Sequence, residues 1–298
     1  MTLPRIAHRF AHVDGVRLFY REAGPPDMTP LLLLHGFPSA SHQFRRLFDA
    51  LGTRFRVIAP DYPGFGYSDA PPSAAEGGSF AYTFERLSHT IELFCRQLEL
   101  PRFVLFAFDF GGPVGFRIAC RHPEWIAGVV VQNANAYEEG LSVLARDYVA
   151  LQPDAEGTSS TLGTLMTLEA TREQYLQGAR NPDEIAPDGW TLDQHFLDLP
   201  HRRQIQVDLA LDYHTNVALY PRWQAWLREH QPPLLILWGR HDPFFLEEGA
   251  HAYLRDVPSG EVHMFDSGHF ALEEYAPEMA LLIVSFLERL VERDDARR

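Results

Sequence analysis

Four short stretches of this chain carry residue types that can perform covalent chemistry together. The first is Phe106-Ala107-Phe108-Asp109-Phe110-Gly111-Gly112. An apolar run, one reactive side chain and two glycines outline a sharp strand-to-helix turn that lifts the side chain above a sheet. A Ser usually occupies that raised position, and here it is Asp109. The second stretch, Asp266-Ser267-Gly268-His269-Phe270, follows a strand-like run and supplies a histidine. The third, Trp238-Gly239-Arg240-His241-Asp242-Pro243, supplies an acid just past another such run. The fourth, His35-Gly36-Phe37-Pro38, follows the run Leu31–Leu34. Its Phe37 backbone N–H, with that of Phe110, is placed to form an oxyanion hole. Taken singly, each has an ordinary reading: Asp109 a helix cap, Asp242 a turn residue before proline, His269 a structural histidine. The order Asp109, Asp242, His269 is the nucleophile, acid, histidine order that turns them into one set. His35 reads as a structural, hydrogen-bonded residue.

The aspartate decides which chemistry such a set can do. A Ser attacking saturated carbon would leave an ether that water cannot cleave at a useful rate. A carboxylate leaves an alkyl ester, and water activated by His269 can attack the Asp109 carbonyl. With an ordinary pKa of about 3.9, the carboxylate also needs no base for its own attack. Asp242 would hold the histidine Nδ1–H and free Nε2. An Asp elbow therefore points to carbon–oxygen or carbon–halogen cleavage more than to ordinary ester hydrolysis.

These residues need strands behind them. Residues 8–23 alternate around Asp14-Gly15, a hairpin signal. Leu31–Leu34, 56–59, Phe103–Phe108, 126–131, 234–238 and 262–265 read as strands, 83–98, 112–121 and 276–293 as helices. The alternation predicts an α/β fold with a mostly parallel, doubly wound, eight-stranded sheet. Residues 136–230 break the rhythm with helical pieces and turns, which predicts a helical cap between two core segments, 1–135 and 231–298. A cap there would sit over the carboxyl ends of the strands.

The composition narrows the partners. The 298 residues have a net charge of -14, against nucleic acid or an anionic membrane as partner. No window approaches the ~18 apolar residues of a membrane span, and the first residues lack an apolar leader core. The expectation is a soluble, cytoplasmic protein, monomer or homodimer. Cys95 and Cys120 are too few for a disulfide framework and read as small hydrophobes. No metal-ligand spacing and no phosphate or dinucleotide loop is convincing, so no cofactor is expected.

The motifs together resemble α/β-hydrolase fold proteins of the epoxide hydrolase and haloalkane dehalogenase branch. The matching pieces are His35-Gly36-Phe37-Pro38, Asp61-Tyr62-Pro63-Gly64-Phe65-Gly66-Tyr67-Ser68, Phe108-Asp109-Phe110-Gly111-Gly112, Asp242 and Gly268-His269. The resemblance implies an enzyme acting on a small apolar substrate and water. In that branch a cap tyrosine protonates the epoxide oxygen. The cap offers Tyr137, Tyr148, Tyr175, Tyr213 and Tyr220. Leu211-Asp212-Tyr213-His214-Thr215-Asn216-Val217 resembles the late-cap segment whose Tyr is the donor, so Tyr213 is the first choice and Tyr175 the second. Phe37, Phe110, Tyr137 and Phe270 are expected to line the substrate pocket.

Haloalkane dehalogenases usually carry Asn after the His-Gly pair and Trp after the nucleophile, where this chain has Phe37 and Phe110. Fluoroacetate dehalogenases carry Arg after the nucleophile. Epoxide hydrolases commonly have His before it, where Phe108 stands. An epoxide hydrolase is the leading expectation. The alternatives are a haloalkane or haloacid dehalogenase or an ester or C–C hydrolase on this scaffold, and, from another class, a non-catalytic small-ligand-binding protein.

Overall fold

The computed structural model describes residues 3–153 and 158–296. Eight strands form one sheet: β1 (Ala7–Val13), β2 (Val16–Ala23), β3 (Leu31–Leu34), β4 (Val57–Pro60), β5 (Phe103–Phe108), β6 (Ile126–Gln132), β7 (Leu234–Gly239) and β8 (Glu261–Phe265). Their order is β1-β2-β4-β3-β5-β6-β7-β8, with β2 antiparallel to both neighbours and every other pair parallel. The eight-stranded, mostly parallel sheet is the one expected from the alternation of strands and helices.

The central strands are buried on both faces, so their sequences are apolar throughout. Successive side chains still alternate between two cores. Leu32, Leu34, Leu105 and Ala107 join the core under the helices Phe84–Gln97, Gly111–Arg121 and Glu247–Asp256. Leu31, Leu33, Phe106 and Phe108 join the core under Arg45–Leu51 and Ala271–Asp295. This period of two is what a strand imposes on its neighbours.

The closing helix begins at Ala271 rather than at 276. Tyr275 breaks it with φ −111° and ψ 24° just ahead of Pro277. The ring of a proline clashes with an ordinary helical turn before it, so the chain kinks there. Cys95 is buried and Cys120 partly so, and both are free thiols.

Between β6 and β7 the described residues form helices and connectors and contribute no strand to the sheet. The last two of these helices, Arg202–Asp212 and His214–His230, meet at Tyr213. Three neighbours tie that corner to the core. The Asp212 carboxylate accepts the Phe84 N–H at 2.8 Å, and Arg117 donates to Asn216 Oδ1 at 2.7 Å and to Thr215 Oγ1 at 3.0 Å. No helix among the described residues is long and apolar enough to cross a membrane.

Candidate active site

The parallel strands end on one edge of the sheet, and the reactive residues follow those ends. His35 to Pro38 follow β3, Asp109 follows β5, Asn133 follows β6, Asp242 follows β7 and His269 follows β8. Because β3, β5, β6, β7 and β8 are neighbours, residues far apart in sequence converge there.

Asp109 has φ +47°, a left-handed conformation that costs a non-glycine residue free energy of order 1–3 kcal/mol. Two close approaches hold it there. A Cβ on Gly36 would lie 2.3 Å from Asp109 Oδ1, and a Cβ on Gly111 would lie 2.1 Å from the Leu34 carbonyl oxygen. Only glycine lets the β3 loop and the helix start approach the elbow this closely.

The Phe37 N–H donates to Asp109 Oδ1 at 2.7 Å, and the Phe110 N–H also donates to this carboxylate. Asp109 Oδ2 lies 3.9 Å from His269 Nε2, beyond hydrogen-bond reach. His269 Nδ1 lies 2.6 Å from Asp242 Oδ2, so the Nδ1 proton belongs to that bond and Nε2 faces Asp109. Asp242 also accepts from Asn133 Nδ2 at 2.8 Å and from the N–H groups of Phe244 and Phe245 at 2.8 and 3.2 Å. All three side chains are almost fully enclosed, with relative exposures of 7% for Asp109, 3% for Asp242 and 2% for His269.

Burial raises the pKa of Asp109; the charge of His269 and the two backbone N–H donors only partly offset it. Burial acts to lower that of His269, but the charge and hydrogen bond of Asp242, together with the charge of Asp109, outweigh it and hold it above its ordinary value. Esterification of Asp109 would remove that carboxylate's share. The histidine of an ester intermediate would therefore lose its proton more readily than that of the resting protein, which suits a base needed only in the second step.

The set opens onto a cavity of about 110 Å³. Its base holds Asp109, His269, Phe37 and Phe110, and its roof holds Tyr213 and Tyr148. Phe244, Phe245, Leu162 and Met166 supply much of the apolar wall. Phe37 and Phe110 line it as expected. Phe270 does not: its ring stacks on Tyr175 at 4.0 Å and packs at a tilt against Phe108 at 5.2 Å, inside the core on the opposite face. Phe108 and Trp238 are core residues too, and the Trp238 indole N–H donates to the Phe245 carbonyl.

The five cap tyrosines separate by what their hydroxyls do. Tyr175 lies outside the cavity lining and donates to the buried Asp193 at 2.5 Å, which corrects its expected place as second donor. Tyr137 is likewise buried away from the cavity and donates to Asp256 at 2.7 Å, which removes it from the pocket. In both cases a carboxylate has captured the only proton the group can give. Tyr220 stands behind Tyr213, hydrogen-bonded to it, and accepts from Asn135 Nδ2 at 3.4 Å. Tyr213 and Tyr148 remain on the cavity. Burial first, and then neighbours including Tyr220 and Asp109, push the Tyr213 phenol well above its ordinary pKa, so it keeps its proton. His35 is structural as expected: it accepts the Tyr62 N–H at Nε2, and burial lowers its pKa to about 4.

Asn133 is a residue that the sequence reading passed over. Besides Asp242, its amide serves both backbone groups of Gly239, donating to the carbonyl at 3.2 Å and accepting the N–H at 2.9 Å. It too has a positive φ, +41°. The signal available was the polar pair Gln132-Asn133 immediately after the apolar run 126–131. Replacing it by Ala strands these buried groups at a conformation Ala dislikes. We expect Asn133→Ala to lower stability by about 2–4 kcal/mol, read from the denaturant midpoint.

An aspartate elbow, its acid–histidine pair and two convergent backbone donors, set over an eight-stranded α/β sheet, define a hydrolase. Comparison agrees: the chain belongs to the alpha/beta hydrolase fold family, whose profile matches residues 29–276. It is 37% identical over 283 residues to a protein of Saccharomyces cerevisiae described as an uncharacterized hydrolase, covering 93% of this chain and 96% of that one. A haloalkane dehalogenase of Psychrobacter cryohalolentis is 29% identical, over 91% of this chain and 88% of its own. Epoxide hydrolase 2 of Caenorhabditis elegans is 25% identical, over 97% and 81%. Among solved structures, the haloalkane dehalogenase DbeA of Bradyrhizobium elkani superposes with a TM-score of 0.78 at 18% identity, covering 97% of this chain and all of that one, a likeness of fold.

Proposed function

We propose that this hydrolase opens epoxides to vicinal diols through an alkyl ester on Asp109. The observation that carries the reading is Tyr213 on the same cavity as Asp109 and His269, its hydroxyl hydrogen-bonded to Tyr220 and, among the described residues, to no carboxylate. Oδ2 of Asp109 attacks a ring carbon, and the carbon–oxygen bond opens toward Tyr213, which protonates the leaving alkoxide. Tyr220 accepts from Asn135 and is hydrogen-bonded to Tyr213, and the Tyr213 proton turns from Tyr220 to the substrate oxygen as the ring opens. Tyr148 is the second hydroxyl on the cavity. A water then loses a proton to His269 Nε2 and attacks the Asp109 carbonyl carbon. The charge that gathers on Oδ1 meets the Phe37 and Phe110 N–H groups. Collapse breaks the ester, His269 protonates the departing oxygen, and the remaining water proton returns to Tyr213.

A carbon–halogen bond is the second reading, favoured by the dehalogenase relatives. A halide leaves as an anion and needs side-chain N–H donors, and the phenyl rings of Phe37 and Phe110 have none. The test is a matched panel of terminal epoxides and haloalkanes. Diol formation without halide release is expected; halide release in place of diol would transfer the protein to the second reading.

A further inference from the structure

Two glutamines interrupt the apolar wall of the cavity. Gln174 lies on the helix Leu168–Leu176 and Gln206 on the helix Arg202–Asp212. Both are more than nine-tenths buried, at 6% and 4% exposure. Gln174 Nε2 and Gln206 Oε1 have no hydrogen-bond partner among the described residues. A buried amide end left unpaired costs about 1–3 kcal/mol, and an apolar side chain of similar size would avoid that cost. A glutamine that merely holds the cap together looks different. Gln194, on the helix Asp188–Leu197, accepts from Thr171 Oγ1 and donates to the Met166 carbonyl and to Asp198.

The position of Gln206 sets a length. Gln206, Ala210 and Tyr213 follow the spacing of one helix face, and all three line the cavity. Seven residues of helix place Gln206 about 10 Å along the axis from Tyr213. A substrate whose epoxide oxygen meets Tyr213 would reach the glutamines with its far end. A carboxamide turns its donor and acceptor ends about its last torsion, so either glutamine can meet a group that gives or takes a hydrogen bond. Among the described residues no Lys or Arg lines the cavity, so a charged far end would be desolvated without compensation.

We propose that Gln174 and Gln206 form a specificity subsite for a neutral hydroxyl or carboxamide at the end of the substrate remote from its epoxide. The proposal rests on the epoxide reading for the reacting end. A site built around buried polar groups rejects a substrate that leaves them unpaired.

The test uses the full chain and terminal epoxides of six to eight carbons whose far end is a methyl, a hydroxymethyl or a carboxylate. In the wild type the best hydroxylated epoxide should exceed its methyl counterpart about tenfold in kcat/KM, and the carboxylate should fall below both. In Gln174→Leu and Gln206→Leu that ratio should shrink toward one; because it is taken within each variant, a general loss of activity cancels. Equal rates for the methyl and hydroxylated epoxides in the wild type, a ratio that survives both substitutions, or a preference for the carboxylate would overturn the subsite. Binding of the corresponding diol products by calorimetry separates this from the reaction itself. If no epoxide turns over but the hydroxylated diol still binds more tightly, and does so only with both glutamines present, the subsite stands and the epoxide reading falls. If no epoxide turns over and the diols bind alike, both fall.

Discussion

His269→Gln is expected to stop turnover, by on the order of 10⁴-fold or more, while leaving the first chemical step in place. In the proposed mechanism Asp109 attacks and needs no proton removed, so alkylation should proceed without the histidine. Ester hydrolysis needs a base at Nε2, and among the described residues no other side chain on the cavity can replace it there. The protein should therefore accumulate as a covalent adduct. Its intact mass should rise by the whole mass of the epoxide, because ring opening expels nothing. A haloalkane would add only its alkyl group, since the halide departs. Peptide mapping should place the adduct on Asp109, and the double variant carrying Asp109→Ala should show none. An unmodified His269→Gln protein after prolonged incubation with every epoxide that the wild type consumes would remove the ester from the mechanism.

Tyr213→Phe is expected to slow epoxide opening about 10²-fold, the scale on which a single preorganised donor acts. The substitution keeps the ring, and with it the packing of Tyr213 on Phe84 and Phe110 at 5.6 and 6.1 Å. What it removes is the proton that the proposed mechanism gives to the alkoxide. The loss should fall on formation of the ester rather than on its decay. Single-turnover measurements resolve the two steps, and a variant that forms ester at the wild-type rate would take Tyr213 out of the mechanism. Tyr175→Phe provides the contrast. Its hydroxyl is committed to Asp193, away from the cavity, so the change should be felt as stability and leave the rate of ester formation alone.

The core of the site was legible because it depends on strand ends. Asp109, Asp242 and His269 each follow a strand, and short turns leave little freedom in where such residues fall. The N–H groups of Phe37 and Phe110 were legible for the same reason, since backbone donors go where the loop goes. The cap was legible only in part. Its helices were visible as a break in rhythm, and Tyr213 through the segment around it. Which other tyrosine faces the cavity was not, because the answer lies with Asp193 and Asp256, whose carboxylates capture Tyr175 and Tyr137. Phe270 misled in a similar way: it is next to His269 in sequence, yet its ring turns to the opposite core.

The sequence by itself therefore determined the sheet, the elbow and the carboxylate it carries, because hydrophobic period, glycine placement and residue type act locally. Tertiary structure alone decided which polar groups remain free. A hydroxyl or amide is available to a substrate only when no neighbour satisfies it, and neighbours are assembled by packing between helices distant in the chain. That distinguishes Gln174 and Gln206 from Gln194, while Tyr213 differs from Tyr175 and Tyr137 in being hydrogen-bonded to a hydroxyl rather than to a carboxylate.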